Sequence, residues 1–182
     1  MSQTVFDLQP TLVGERVTVR PLQPQDWEAT FAAASDPEIW AVHPASNRYQ
    51  EPVFRQFFDD AVASGSAFVF VDRERDVIFG SSRYHGLDAD LREIEIGWTF
   101  MARDYWGGSY NSEVKALMLE HAFRFVGTVI FWVAEENIRS RRAMEKIGGQ
   151  LRSGIVHREA GGPAPHVVYE IRKEEWQARR AG

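Results

Sequence analysis

Residues 128–134, Thr-Val-Ile-Phe-Trp-Val-Ala, are almost uninterrupted apolar side chains between turn signals, the pattern of a strand covered on both faces. Such a strand needs helices to cover it, and the chain supplies them. Glu51 to Ala63 sets Phe54, Phe57, Phe58, Ala61 and Val62 on one helical face. Ser109 to Val126 keeps the helical period through Tyr110, Val114, Leu117, Met118, Ala122 and Phe125. Pro24-Gln25-Asp26 opens a helix reaching about Ala34, and Asp36-Pro37 reads as the cap and first position of a further turn. A short helix from Ile138 to Ile147 stops at Gly148-Gly149, and Lys173 to Arg180 reads as a frayed surface helix.

Strands fill the intervals. Arg16 to Pro21 alternates, and Ala67 to Asp72 pairs with Val77 to Tyr84 across a polar turn. Arg92 to Phe100 (REIEIGWTF) puts Ile94 and Ile96 on one face and Glu93 and Glu95 on the other. Two last strands, near residues 150–158 and 166–172, flank the loop AGGPAP. This order predicts an α/β fold with a mixed sheet and not a regular βαβ alternation. A length of 182 residues predicts one domain spanning 1–182.

Composition removes several function classes. A net charge of -5 argues against a general nucleic-acid binder, which needs a basic surface to displace counterions. There is no cysteine, hence no disulfide, thiolate metal site or cysteine nucleophile. The five histidines, His43, His85, His121, His157 and His166, show no metal-ligand spacing, so no metal is expected. The start, MSQTVFDLQP, lacks the basic and apolar regions of a secretory signal, and the apolar stretch from Val126 to Ala134 is about half a membrane span. The expectation is a soluble, cytoplasmic protein with no membrane or nucleic-acid partner.

Chemistry concentrates between Glu95 and Gly148. The strand EIGWTF feeds a turn with adjacent glycines, Trp106-Gly107-Gly108, and then a long helix. Either this is an anion cradle, with free helix amides facing a phosphate and Arg103 as counter-charge, or it is a tight turn before a cap at Ser109 or Asn111. Neither G-x-x-x-x-G-K-[ST] nor G-x-G-x-x-G after the first strand is present, which removes the P-loop and dinucleotide sites. Coenzyme A is a phosphate-bearing ligand that needs neither. After TVIFWVA comes Glu135-Glu136-Asn137-Ile138-Arg139-Ser140, with Asn137 placed to cap the next helix and Ser140 in its first turn. Arg139, Arg141, Arg142 and Lys146 form either a solvated face or an offset for ligand phosphates.

These two blocks, in this order and separation, resemble the GNAT superfamily of N-acetyltransferases, and within it the group that acetylates ribosomal-protein N-termini. The matching residues are Glu95 to Trp98, then Tyr105-Trp106-Gly107-Gly108-Ser109-Tyr110-Asn111-Ser112-Glu113, then Asn137, Ser140, Glu145, Lys146 and Gly148. The departures are Asp104 and Ser109 in the phosphate loop, Met144 where many relatives carry a tyrosine that protonates the leaving thiolate, and Gly149 for the usual phenylalanine.

The resemblance implies the GNAT fold, a mixed and mostly antiparallel twisted sheet of about seven strands flanked by about four helices. It implies acetyl-coenzyme A as co-substrate, held by the backbone from Trp98 through Thr99 and Phe100, by Arg103, by the turn Trp106 to Asn111 (with Gly107, Gly108, Ser109 and Tyr110), and by Asn137, Ser140 and Arg142. It implies Glu95 as the base, with Glu93 on the same face as the decoy, and Ser140 as donor or binder at the leaving sulfur. Trp40, His43, Pro44 and Arg83 are expected on the acceptor side. The acceptor is an amine, a protein N-terminus or a small molecule, and the assembly a monomer or homodimer. The runner-up function is a non-catalytic acyl-coenzyme A-binding module.

Overall fold

The computed structural model describes residues 5–154 and 164–182. Among them, one sheet carries eight strands: β1 (Leu12–Val13), β2 (Val17–Pro21), β3 (Ala67–Asp72), β4 (Val77–Asp88), β5 (Glu93–Met101), β6 (Thr128–Ala134), β7 (Gln150–Leu151) and β8 (His166–Arg172). Their spatial order is β1-β2-β3-β4-β5-β6-β8-β7. Every neighbouring pair is antiparallel except β5–β6, which is parallel. Six helices accompany it: α1 (Trp27–Ala34), α2 (Pro37–Trp40), α3 (Glu51–Ser64), α4 (Ser109–Ala122), α5 (Ile138–Lys146) and α6 (Lys173–Ala181). This is the expected GNAT arrangement with an extra short edge strand, β1, and more helices than the four anticipated. The expected strand over 150–158 is shorter: β7 ends at Leu151, residues 152–154 have left the strand, and residues 155–158 lie outside those described.

Two apolar cores lie against the sheet. Val114, Met118, Leu119 and Ala122 of α4 pack with Phe68, Phe70, Ile94, Ile96, Val129 and Phe131 in one. Phe54, Phe57, Phe58 and Ala61 of α3 pack with Ala33, Ala34, Trp40, Ala67, Val69 and Phe100 in the other. Consecutive residues of β3 alternate between the two, so β3 is the strand covered on both faces. In β6 only Val129, Phe131 and Val133 are buried, while Ile130 and Trp132 are half-exposed. The expectation for residues 128–134 is corrected accordingly: the second core closes over β3 to β5 and does not extend across β6. The reverse holds in β5, where Ile94, Glu95 and Ile96 are all buried.

α4 stops at Ala122, four residues short of the expected end, and Phe125 and Val126 pack in a turn instead. The Val126 amide donates to Ala122 O (3.0 Å) and the Gly127 amide to Arg92 O (2.9 Å), so the chain is turned toward the sheet before the helix can continue. Glu113 of α4 accepts the amides of Glu15 (3.0 Å) and Arg16 (3.0 Å), tying the β1–β2 turn to this helix.

Where β4 meets β5 and β3, the chains approach so closely that only glycine fits. A Cβ on Gly80 would lie 2.4 Å from Phe100 O and 2.9 Å from the Phe70 ring. Both are fixed by the sheet and the core. Gly80→Ala is therefore expected to lower unfolding stability by about 2 kcal/mol, the usual scale of overpacking. A urea midpoint equal to that of the native chain would contradict this.

Candidate active site

The registered pairs between β5 and β6 are only Glu93↔Thr128, Ile94↔Val129 and Glu95↔Ile130. Beyond them the strands part, and Ile96 to Thr99 on one side and Phe131 to Ala134 on the other line a cavity. The cause is a bulge in β5. Ser81 opposes Phe100 and Arg83 opposes Gly97, so Trp98 and Thr99 together face Ser82. Trp98 takes φ 52, a left-handed conformation unusual for an aromatic residue. Side chains hold it there: Ser82 Oγ donates to Gly97 O (3.1 Å) and meets Thr99 Oγ1 (2.9 Å), and Lys115 Nζ donates to Thr99 Oγ1 (3.1 Å).

A second cavity runs from the glycine turn to the first and shares His43, Thr99, Asn111, Asn137, Ser140 and Ala143 with it. Its walls include Phe100, Met101, Trp106, Gly107 and Arg139. Gly108 is the N-cap of α4 and no side chain caps the helix, so neither Ser109 nor Asn111 fills the capping role weighed above. Gly107 has φ 70, and a Cβ on Gly107 or Gly108 would have no neighbour within 4 Å. An uncapped helix start with open space before it suits an anion, and a channel leading from it to the parted strands suits a long ligand with a phosphate at one end. The residues present therefore fit coenzyme A.

The other expected cofactor residues divide. Asn111, Asn137, Ser140, Trp98, Thr99 and Phe100 line one or both cavities. Asn137 caps α5 by accepting the Ser140 amide at 3.1 Å. Arg103 instead pairs with Asp36 (2.9 Å), and Ser109 accepts from Arg16. Tyr110 donates to the buried Asp72 (3.4 Å) beside Tyr105, facing the core. Arg142 is exposed and lines neither cavity, whereas Arg139 lines the channel with its guanidinium 3.9 Å from the Trp106 ring centre.

On the acceptor side, Trp40 is buried and donates to Ala34 O (2.8 Å), so its ring is as much core as cavity wall. His43 and Pro44 line the first cavity. Burial, with Arg48, His166 and Arg139 nearby, pushes the His43 imidazole down to about 3, and its Nδ1 accepts the Ala45 amide (2.9 Å). It is neutral at physiological pH. Arg83 is buried with its guanidinium 3.9 Å from the Trp98 ring centre. Arg48 lies over Trp40 and Phe57, and burial together with Arg83 lowers it to about 10.

Glu95 is 3 % exposed. Alternation sets it opposite Ile94 and Ile96, and its carboxylate lies along the strand over Gly97, where a Cβ would sit 2.7 Å from Glu95 Oε1. Glu93, on the same face, is bound to Arg152. The residue absent from the expectations is Lys115. It is 2 % exposed and lines the first cavity. Its sequence signal was a lysine within the buried stripe Val114, Met118, Leu119 and Ala122 of an otherwise ordinary amphipathic helix.

Among the described residues, no helix is long and apolar enough to cross a membrane, and no group of three or more His, Cys, Asp or Glu is placed to hold a metal ion. The profile of the acetyltransferase (GNAT) domain matches residues 16–150. The chain is 25% identical over 167 residues to the uncharacterized N-acetyltransferase YnaD of Bacillus subtilis, covering 89% of this chain and 96% of that one. A crystal structure of a GCN5-related N-acetyltransferase from Brucella melitensis superposes with a TM-score of 0.79 at 22% identity, covering 99% of this chain and 86% of the other. Mycobacterium smegmatis RimJ in complex with CoA-disulfide superposes with a TM-score of 0.64 at 20% identity, covering 87% and 83%.

Gly108 has φ -107, open to any residue, so a side chain there tests the cradle without backbone strain. Gly108→Val is expected to weaken coenzyme A binding at least tenfold by calorimetry, through loss of close approach to the phosphates, with an unchanged melting temperature in the free protein. Equal affinities would remove the turn from the site.

Proposed function

The chain belongs to the acetyltransferase (GNAT) family, and we propose that it moves the acetyl group of acetyl-coenzyme A directly to an amine, with Glu95 receiving the amine proton. The observation that carries this reading is the Glu95 carboxylate over Gly97, beside the gap between β5 and β6. The amine is a protein N-terminus or a small-molecule amine. An amine attacks only when neutral, and an α-amine with a pKa of about 8 needs roughly 3 kcal/mol less help at neutral pH than a lysine at about 10.4. A carboxylate at the gap supplies that help directly or through one water.

The coenzyme supplies the activated acetyl thioester. Uncapped amides of α4 bind its phosphates, Asn111, Asn137 and Ser140 orient the arm along the channel, and backbone amides of the Trp98–Met101 bulge hold the thioester carbonyl. Trp98, Pro44 and the neutral His43 help to exclude water from the acceptor side, and Arg83 borders it. Ser140 offers its hydroxyl to the sulfur. With no cysteine and no G-x-S-x-G elbow, direct transfer is the simplest course.

Glu95→Gln keeps the shape and removes the basicity. Turnover at pH 7 should fall about 100-fold while coenzyme A affinity is retained, and the deficit should shrink as pH approaches the amine pKa. Glu93→Gln should stay near native turnover. A fully active Glu95→Gln would place the base elsewhere, and binding without any turnover in the native protein would make the chain a coenzyme A-binding module.

Gly97→Ala tests the same carboxylate without touching it. The new methyl meets the far end of the Glu95 side chain and not backbone, so the fold should survive while turnover falls at least tenfold. Native turnover in this variant would show that the carboxylate position over Gly97 is immaterial.

A further inference from the structure

Lys115 is a lysine with 2 % exposure in the wall of the reaction cavity, and among the described residues its one hydrogen-bond acceptor is Thr99 Oγ1 (3.1 Å). The Phe131 ring is centred 5.3 Å from Nζ. An ammonium has three protons to donate, and a buried lysine in a structural role ordinarily meets a carboxylate. None of the described residues lining this cavity is acidic; the titratable groups there are His43, Arg48 and His166. α4 sends up Lys115, β5 faces it with Thr99, β6 with Phe131, and α5 with Ser140 and Met144. Glu95 lies on the opposite face of β5 from Ile96, which shares the cavity with Lys115. Base and ammonium thus flank the gap from the two faces of the sheet.

We propose that Lys115 is a catalytic residue of this site, giving a proton to the coenzyme sulfur as the acetyl group leaves it; this rests on the acetyl-transfer reading above. The amine nitrogen forms its bond to the acetyl carbon, the carbon–sulfur bond breaks, Glu95 takes a proton from the nitrogen, and Lys115 Nζ gives one to the sulfur. Solvent then restores Lys115 and deprotonates Glu95, so atoms and charge balance. Ser140 can orient the sulfur, but an alkyl hydroxyl is a far weaker acid than a thiol. Burial lowers the Lys115 amine to about 7, below an ordinary thiol at about 8.5, so the transfer runs downhill. Met144, Phe131 and Ala143 in the same wall have no proton to give.

The test uses Lys115→Met, with Lys115→Gln as a second variant should the first fail to fold. Burying the ammonium opposes folding. The amine is protonated in both states below about pH 7, and the opposition is relieved as pH rises from there toward the unfolded value of 10.5. The free native protein should therefore gain stability over that range relative to Lys115→Met, which should melt no lower than native at pH 6.5. Turnover should fall roughly 100-fold with the Michaelis constant for acetyl-coenzyme A little changed, and the native decline in turnover above about pH 7 should vanish in the variant.

A native decline in turnover above about pH 7 that persists in Lys115→Met would overturn the proposal, as would full turnover in that variant or acetylation of Lys115 itself seen by mass spectrometry. A native protein that binds coenzyme A and shows the expected pH dependence of stability through Lys115, yet acetylates no amine, would defeat the acetyl-transfer reading and with it the catalytic step. Full transfer by both proteins would defeat only the assignment of Lys115.

Discussion

The β5–β6 pairing stops after Glu95↔Ile130, although both strands continue. A parallel pair that ends inside a sheet leaves backbone amides and carbonyls facing each other with no partner, which is unfavourable unless something keeps the strands apart. Here β6 is occupied on its other side by β8 along its whole length, and β5 is bound to β4 through a bulge. Trp98 in a left-handed conformation, Ser82 on Gly97 O and Lys115 on Thr99 hold that bulge. The gap is thus a maintained opening between the two strands. The channel from the α4 start leads into it, and Glu95 and Lys115 flank it.

Gly97 and Gly80 show how close packing serves this arrangement. At Gly80 the missing side chain lets Phe100 O approach, so β4 can follow β5 through the bulge. At Gly97 the space is taken by a carboxylate, which can run along the strand only because no Cβ blocks it. One glycine keeps the strands together and the other leaves room for the Glu95 carboxylate.

The electrostatics of the site run against those of the whole chain. The net charge is -5, yet the described cavity walls carry Arg48, Arg139 and Lys115 and no carboxylate. Burial dominates their titration, lowering Arg48 to about 10 and Lys115 to about 7, and it combines with the nearby cations to keep His43 uncharged. The interior of the site is thus locally cationic, although the chain as a whole is acidic.

Local signals in the sequence determined the succession of strands and helices, the glycine turn ahead of α4, the Asn137 cap and the two blocks that identify the family, because each depends on residues close together in the chain. Tertiary structure decided what distance along the chain hides. It exchanged the expected burial of two strands, since coverage depends on how far α1 and α3 reach across the sheet, and it ended α4 at Ala122 by docking Gly127 on Arg92. It directed Arg103 to Asp36 and Tyr110 to Asp72, partners invisible from the motif that contains them. Lys115 shows the limit most sharply. Its position in an apolar stripe was visible in the sequence, but its chemistry comes from burial at a gap that exists only once β5, β6 and α4 are packed together.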